Sequence, residues 1–274
     1  NRIYSAFKRH TYSGIKSAYR IWWKSLEKVV KPAFGTSIEL PGWLRPEWMD
    51  YMYHHGPWLE NYFYIYWSLN KRQARSLGWK YIPLYWTDFY FKHRKDSDNA
   101  KSRLKKCLLP EIDTSENYFT IVQQADGVGV ELPENVVVFA AGGTGDIPVP
   151  LSKPAWFNRN RKKDIRISFM GHLGGANNIT GVRDKMFRLL KNDKDCHFGN
   201  GTFFEFKDII ERSLFSLCPR GYGRTSFRLV ESLAAGSLPL YIWEDIEWLP
   251  YIELLDWDNI AISSNVADLG RWPY

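Results

Sequence analysis

Residues 216 to 242 read SLCPRGYGRTSFRLVESLAAGSLPLYI, a stretch in which three arginines and one glutamate are spaced around three glycines. Phe227, Val230, Leu233 and Ala234 recur at helical spacing, so a helix is expected there, with Ser226 as its N-cap and Gly236 as its terminator. A loop carrying Arg220 and Arg224 therefore runs into a helix N-terminus. Free backbone N–H groups and the positive end of the helix dipole favour an anion at such a place, and guanidinium forks match phosphate oxygens two at a time. A nucleotide diphosphate is the expected ligand. Glu231, about one and a half turns into the helix, is placed to accept the hydroxyls of an attached ribose. The competing reading of Arg228 and Glu231 is an ordinary helix-face ion pair, worth roughly 0.2–0.5 kcal/mol. Neither GxxxxGK nor GxGxxG occurs, so the P-loop and dinucleotide fingerprints are excluded.

Two acids are candidates for proton transfer. WKYIPLYWTD reads as a short strand ending in Asp88, and NYFTIVQQADG as a second strand ending in Asp126. In parallel sheets the ligand crevice lies beyond the carboxyl ends of the strands, where both would fall. A loop cap or turn acid is the competing reading for each. A basic helix around 97–109 separates the two strands, and NVVVFAAGG supplies a third, closed by glycines. Upstream, 12–30 has an apolar stripe (Ile15, Tyr19, Trp22, Trp23, Leu26, Val30) opposite lysines, an amphipathic helix packed on a domain or lying on a membrane surface. A second helix is expected from Pro57 to Gly78.

Residues 148–164, with three prolines and a charge run, form the expected linker, after which the alternation restarts. IRISFMG is a strand, HLGGANNITG a glycine-rich loop with Gly171 at its start, VRDKMFRLLKN a helix, SLFSLCP a strand and SLPLYIW another. Strands separated by helices imply parallel sheets, so the fold class is α/β in two Rossmann-like halves, 1–155 and 156–274, with the cleft between them as the default site.

Composition narrows the function. The 45% hydrophobic content over 274 residues is enough for a real core, so disorder is set aside. Aromatic content of 16% suggests ring platforms of the kind that stack on sugars, against a reading as core filler. A net charge of +7 points to an anionic partner. Cys107, Cys196 and Cys218 match no disulfide or zinc spacing, and His54 and His55 have no third ligand near them, so no metal site is expected. The cysteines suit a reducing compartment. No stretch is apolar for about 18 residues and no signal-peptide pattern opens the chain, so no membrane span is expected.

The run from Pro219 to Pro239 resembles the signature of the exostosin-like glycosyltransferases, family 47. There a strand ending in Pro-Arg-Gly leads to Ser-Phe-Arg, a helix carrying Glu, and a Gly-x-x-Pro strand. Pro219, Arg220, Gly221, Ser226, Phe227, Arg228, Glu231, Gly236 and Pro239 stand at matching places, followed by Leu249 and Pro250. Upstream, KYIPLY is similar to the family's FYVPLY, YFTIVQQADG to HFFVVTHDWG, GDIPVP to KDVSLP, and IRISFMG with Arg183 to LLFFRG with its later Arg. Coverage runs from about 57 to 251.

The resemblance implies a GT-B fold of two Rossmann-like domains facing a central cleft. The carboxy-terminal domain would hold a UDP-sugar and the amino-terminal one would present a glycan acceptor, with inversion at the anomeric carbon and no metal. Arg220, Arg228 and Arg183 would neutralise the leaving diphosphate, Glu231 would hold the ribose, and Gly171 would sit in a second diphosphate loop. The base is Asp126 or Asp88. Asp126 matches the family's His-Asp position, although Ala125 replaces the His. The compact length looks more like the stand-alone xylosyltransferases of large algal viruses, which implies UDP-xylose, a fucose of a capsid N-glycan as acceptor, and the host cytoplasm. The alternatives are a basic non-enzymatic nucleic-acid or polyanion binding protein and a sulfotransferase, whose phosphosulfate loop is expected near the amino terminus and is absent there.

Overall fold

The computed structural model describes residues 30–33, 35–44, 58–152, 159–174 and 180–271. The expected amino-terminal helix as far as residue 29, His54, His55, Pro57 and residues 153–158 of the proline-rich linker lie outside them. The chain forms two compact units. One comprises residues up to Gln123 together with Val128–Phe139, the other Gln124–Gly127 together with the chain from Ala140 on. The changeover falls ahead of the expected 155/156 boundary.

In the first unit, helices α1 (Leu59–Leu69) and α2 (Lys71–Leu77) replace the single helix expected over this stretch. Asn70 breaks it. Its side-chain Nδ2 donates to the Tyr66 carbonyl (2.7 Å), the same acceptor its backbone N–H uses in the helix ladder (3.0 Å), so a local side-chain bond competes with the helix there. Gly78 ends α2 in the left-handed region (φ 72°), as expected of a C-terminal glycine. Strand β1 is only Lys80–Tyr81, and the rest of the expected strand folds as helix α3, Trp86–His93. Helix α4 (Ser97–Leu108) follows, then β2 (Tyr118–Val122) and β3 (Val136–Ala140). β2 pairs in parallel with β1 (Tyr81 opposite Phe119), and β3 lies on its other side.

All five residues of β2 are buried. Tyr64, Trp67, Tyr81, Tyr85 and Phe119 form one core cluster with Ile65 and Ala74. Tyr81 and Phe119 stack at 5.3 Å, and Trp67 meets Phe119 edge-on at 5.1 Å. Rings this close gain beyond area burial alone. Much of the aromatic excess is therefore core filler in this unit.

After a two-residue strand β4 (Ile147–Pro148), the second unit builds a five-stranded sheet from β5 (Ile165–Met170), β6 (Cys196–Gly199), β7 (Ser213–Pro219), β8 (Leu238–Trp243) and β9 (Ile262–Asn265). Their order is β6-β5-β7-β8-β9, and each neighbouring pair is parallel. Helices α5 (Val182–Leu190), α6 (Phe203–Arg212) and α7 (Phe227–Ala234) lie between strands in the sequence. Phe169, Met186, Leu190, Leu217, Leu240 and Ile242 centre its core. The expectation of two Rossmann-like α/β domains is met by these parallel sheets.

β6, β9 and α6 are elements the periodicity did not indicate. β6 is four residues, none fully buried, and β9 is the polar ISSN, so neither shows an apolar run. α6 carries a legible start signal: Thr202 and Glu205 form a capping box, each accepting the other's backbone N–H.

Candidate functional site

The opening motif folds as its pattern suggests. Pro219 is buried opposite Ile242 in the sheet, and Arg220 continues the ladder by donating its N–H to the Ile242 carbonyl at 3.1 Å. The chain then turns, with the Gly221 N–H reaching Thr225 O at 3.3 Å. Ser226 has extended backbone (φ −145°, ψ 143°) and its Oγ accepts the Arg228 N–H, so it caps α7. Phe227 opens the helix behind it.

Two guanidinium groups converge on this turn. The Arg183 Nε donates to the Arg220 carbonyl (3.2 Å) and its Nη1 to the His172 carbonyl (3.0 Å), so it ties the glycine loop after β5 to the loop after β7. The Arg228 guanidinium lies over the rings of Phe169 (4.8 Å) and Phe206 (5.0 Å). A Cβ on Gly171 would meet Arg228 Nη2 at 3.0 Å, and one on Gly221 would meet Arg183 Nη2 at 3.3 Å. Glycine at 171 thus makes room for the cation beside the loop, and its N–H is held by Gly199 O at 2.8 Å.

Burial acts on both cations. Burial pushes the Arg183 guanidinium down to about 10, and the neighbouring charge of Arg228 pushes the same way. Arg228 is lowered by burial too, against weaker support from Cys218 and Glu231. Its Nε is buried without a hydrogen-bond partner, and among the described residues no carboxylate lies within ion-pair distance of it. A half-buried cation beside a buried one of the same sign favours an anion here. Glu231, three residues on, is partly buried on the same helix.

The other two arginines of the motif are engaged elsewhere. Arg220 Nη1 and Arg224 Nε grip the two oxygens of Asp245, each at 2.9 Å. Partial burial raises the Asp245 carboxyl, but the Ile246 N–H and the two arginines outweigh it and hold the group below the usual carboxylate range. Asp245 follows β8, and its place after a parallel strand was the available signal for it. Among the described residues Arg220 Nε, buried, finds no partner. Beside the motif, a cavity of about 530 Å³ opens at the ends of β5 and β6, lined by Phe169, Gly171, His172, Phe187, Phe198 and Asn200 among others.

The two candidate bases have opposite surroundings. Asp88 does not end a strand. It lies in the first turn of α3, fully buried, and its Oδ1 accepts the Trp58 indole N–H at 2.7 Å. The strand ends at Tyr81, just ahead of Pro83, which cannot donate to a ladder, and α3 begins at Trp86, so the acid falls inside a helix and not at a strand end. Asp126 is exposed in the loop after β2, and its Oδ2 accepts from Tyr222 Oη (3.0 Å) and Gln124 Nε2 (3.1 Å). Sequence reasoning identified neither Tyr222 nor Gln124 as a partner of this acid. Among the described residues no group of three metal-ligating side chains converges, and no helix is long and apolar enough to cross a membrane.

Comparison with known proteins agrees with the motif. The exostosin GT47 domain model matches residues 89–272, more than half of the chain. A probable glucuronoxylan glucuronosyltransferase of Arabidopsis thaliana is 28% identical over 170 residues, 54% of this chain and 38% of that protein. A probable beta-1,4-xylosyltransferase of the same plant is 29% identical over 107 residues, 36% of this chain and 26% of its own. An exostosin-1 homolog of Caenorhabditis elegans is 36% identical over 72 residues, 26% of this chain and 19% of its own. Each match thus spans less than half of the relative's own length. Among solved structures, a glycotransferase of kitacinnamycin aligns at TM-score 0.28 and 12% identity over 72% of this chain and 61% of that one, a likeness too slight to argue from.

Proposed function

Given that the chain belongs to the exostosin GT47 domain family, we propose that it is an inverting glycosyltransferase whose carboxy-terminal unit holds a nucleotide sugar. The observation that carries this is the pair of guanidiniums, that of buried Arg183 and that of half-buried Arg228, converging beside Gly171 and Gly221 at the start of a capped helix. A diphosphate brought there would take donors from both cations and from the first turn of α7. Arg220 contributes through its remaining Nε, and Glu231 receives the ribose hydroxyls.

In the displacement, Asp126 takes the proton of the acceptor hydroxyl, whose oxygen bonds to the anomeric carbon as the bond from that carbon to the diphosphate oxygen breaks. The charge that develops on the diphosphate is met by cations already in place, which is where preorganised electrostatics contribute most. The burial of Asp88 suits it to holding Trp58 rather than to meeting a substrate. UDP-xylose is the proposed donor, with UDP-glucuronate the first alternative, since relatives are named for each transfer. The acceptor is a glycan hydroxyl, on the narrowest reading the fucose of a viral capsid N-glycan, and the guanidiniums do the work a metal would otherwise do.

The test is a thermal-shift panel with UDP, GDP, UDP-xylose, UDP-glucose, UDP-glucuronate and UDP-N-acetylglucosamine, with and without EDTA, on the wild-type protein and Arg228→Ala. Saturable stabilisation by UDP, greatest with UDP-xylose, indifferent to EDTA and weakened about 10- to 100-fold in apparent affinity by the substitution, is the expected result. No shift with any nucleotide would sink the proposal and leave the basic-binding reading in its place.

A further inference from the structure

Asp126 sits in the same compact unit as the arginine loop, and the two are joined by more than proximity. The loop 220–225 is locked onto the segment 142–144 by backbone contacts that leave no room for side chains. A Cβ on Gly223 would fall 1.9 Å from the Gly142 carbonyl oxygen and 2.9 Å from Ala125 Cβ. A Cβ on Gly143 would fall 2.6 Å from Arg224 Cβ, and one on Gly127 would fall 2.6 Å from the Thr144 carbonyl oxygen. Arg224 closes the contact: its N–H donates to Gly142 O at 3.1 Å and its guanidinium to Gly143 O. Ala125, before Asp126, is thus seated against the loop that carries Tyr222, and Gly127, after it, against the segment 142–144 onto which that loop is locked.

Tyr222 Oη and Gln124 Nε2 both donate to the same oxygen of Asp126, Oδ2. Gln124 is itself oriented, because its Oε1 accepts the Ala125 N–H at 2.6 Å. Oδ1 receives no hydrogen bond among the described residues, and the residue is exposed. One carboxylate oxygen is therefore clamped and the other left open toward solvent. That arrangement fixes the rotamer of a proton acceptor without consuming the oxygen that must do the accepting.

We infer that Tyr222 is a positioning residue for Asp126: its phenol, carried on the arginine loop, orients the carboxylate so that Oδ1 faces the acceptor hydroxyl. This rests on the reading of Asp126 as the base. It ties the geometry of the base to the loop that flanks the donor site, so the two reacting ends of the displacement share one rigid frame.

The experiment is steady-state turnover of Tyr222→Phe, Asp126→Asn and the double variant, using the UDP-sugar and acceptor that the wild-type protein turns over, with UDP affinity measured alongside. Tyr222→Phe removes one hydroxyl and leaves the ring. It is expected to lower kcat roughly tenfold with donor KM and UDP affinity unchanged. Asp126→Asn is expected to lower kcat by about 10²-fold or more. In the Asp126→Asn background, Tyr222→Phe should cost nothing further, because residues that act as a unit are not additive.

An unchanged kcat in Tyr222→Phe would overturn the inference. So would the same tenfold loss on top of Asp126→Asn, or a loss confined to donor KM, since these are the marks of a residue that only shapes the loop. Wild-type turnover in Asp126→Asn would remove the base itself, and absence of wild-type turnover with every sugar of the panel would remove the transferase. Either result sinks the assignment through its premise, and each is distinguishable from failure of Tyr222 alone.

Discussion

A cation held between two rings, with no carboxylate at ion-pair distance among the described residues, is the plainest functional signal in this molecule, and Arg228 carries it. Glu60 is its counterpart in the first unit and has a different meaning. Its Oε1 accepts from Thr87 N (3.1 Å), Thr87 Oγ1 (2.7 Å) and Gln123 N (3.1 Å), so one carboxylate joins the start of α3 to the end of β2. Burial pushes its pKa up, and the bonds from Thr87 and Gln123 offset this only in part. The folded state therefore holds this proton more tightly than the unfolded chain does. As pH rises above the unfolded value near 4.5 toward the raised folded value, stability is lost. Glu60→Gln keeps the accepting oxygen and removes the ionisation. Its melting temperature should exceed that of the wild type at pH 7–8 by roughly 2–4 °C, the shift for about 1 kcal/mol in a chain of this size, and the difference should shrink at pH 5. A pH series of thermal melts that shows no convergence at low pH would contradict this account.

At the scale of elements, the site depends on how one loop enters α7. Ser226 supplies the cap, and Ser226→Ala should cost about 1 kcal/mol, read as a lower melting temperature of the second unit. Gly223 acts differently. No L side chain fits at its position without displacing the Gly142 carbonyl, so Gly223→Ala should weaken UDP-induced stabilisation more than its effect on the melting temperature alone implies. If both variants lose nucleotide affinity only in proportion to stability, the loop is merely a connector. The elements that periodicity missed show where sequence patterns stop: β6 and β9 are short strands held by neighbours in a parallel sheet, and such strands need no alternation of their own.

At the scale of the whole molecule, each unit has its own apolar core, one dominated by rings and the other by aliphatic residues around Phe169. Separate cores permit separate unfolding. Calorimetry should resolve two transitions, with UDP raising only that of the carboxy-terminal unit. A single transition that moves as one with UDP would show the units to be energetically inseparable. The aromatic richness that suggested sugar platforms has its explanation at this scale for Tyr64, Trp67, Tyr81 and Phe119, which fill the first unit's core.

Much of this was legible from the chain alone. The helix over 227–234, its serine cap, the strands on either side of it and the exostosin-like motif depend on neighbours within about 30 residues, and local spacing records such relationships directly. What local spacing cannot record is which distant group ends up beside which. Asp88 and Asp126 looked alike as acids after strands, yet one is buried against Trp58 and the other is clamped by Tyr222, 96 residues further on. Arg220, Arg224 and Arg228 looked alike as phosphate ligands, yet Asp245 pairs with two of them and the third lies between Phe169 and Phe206. The charges were determined by residue type. Their partners were decided only by the tertiary fold, because a pairing across a sheet depends on where the strands converge and not on the order in which they are written.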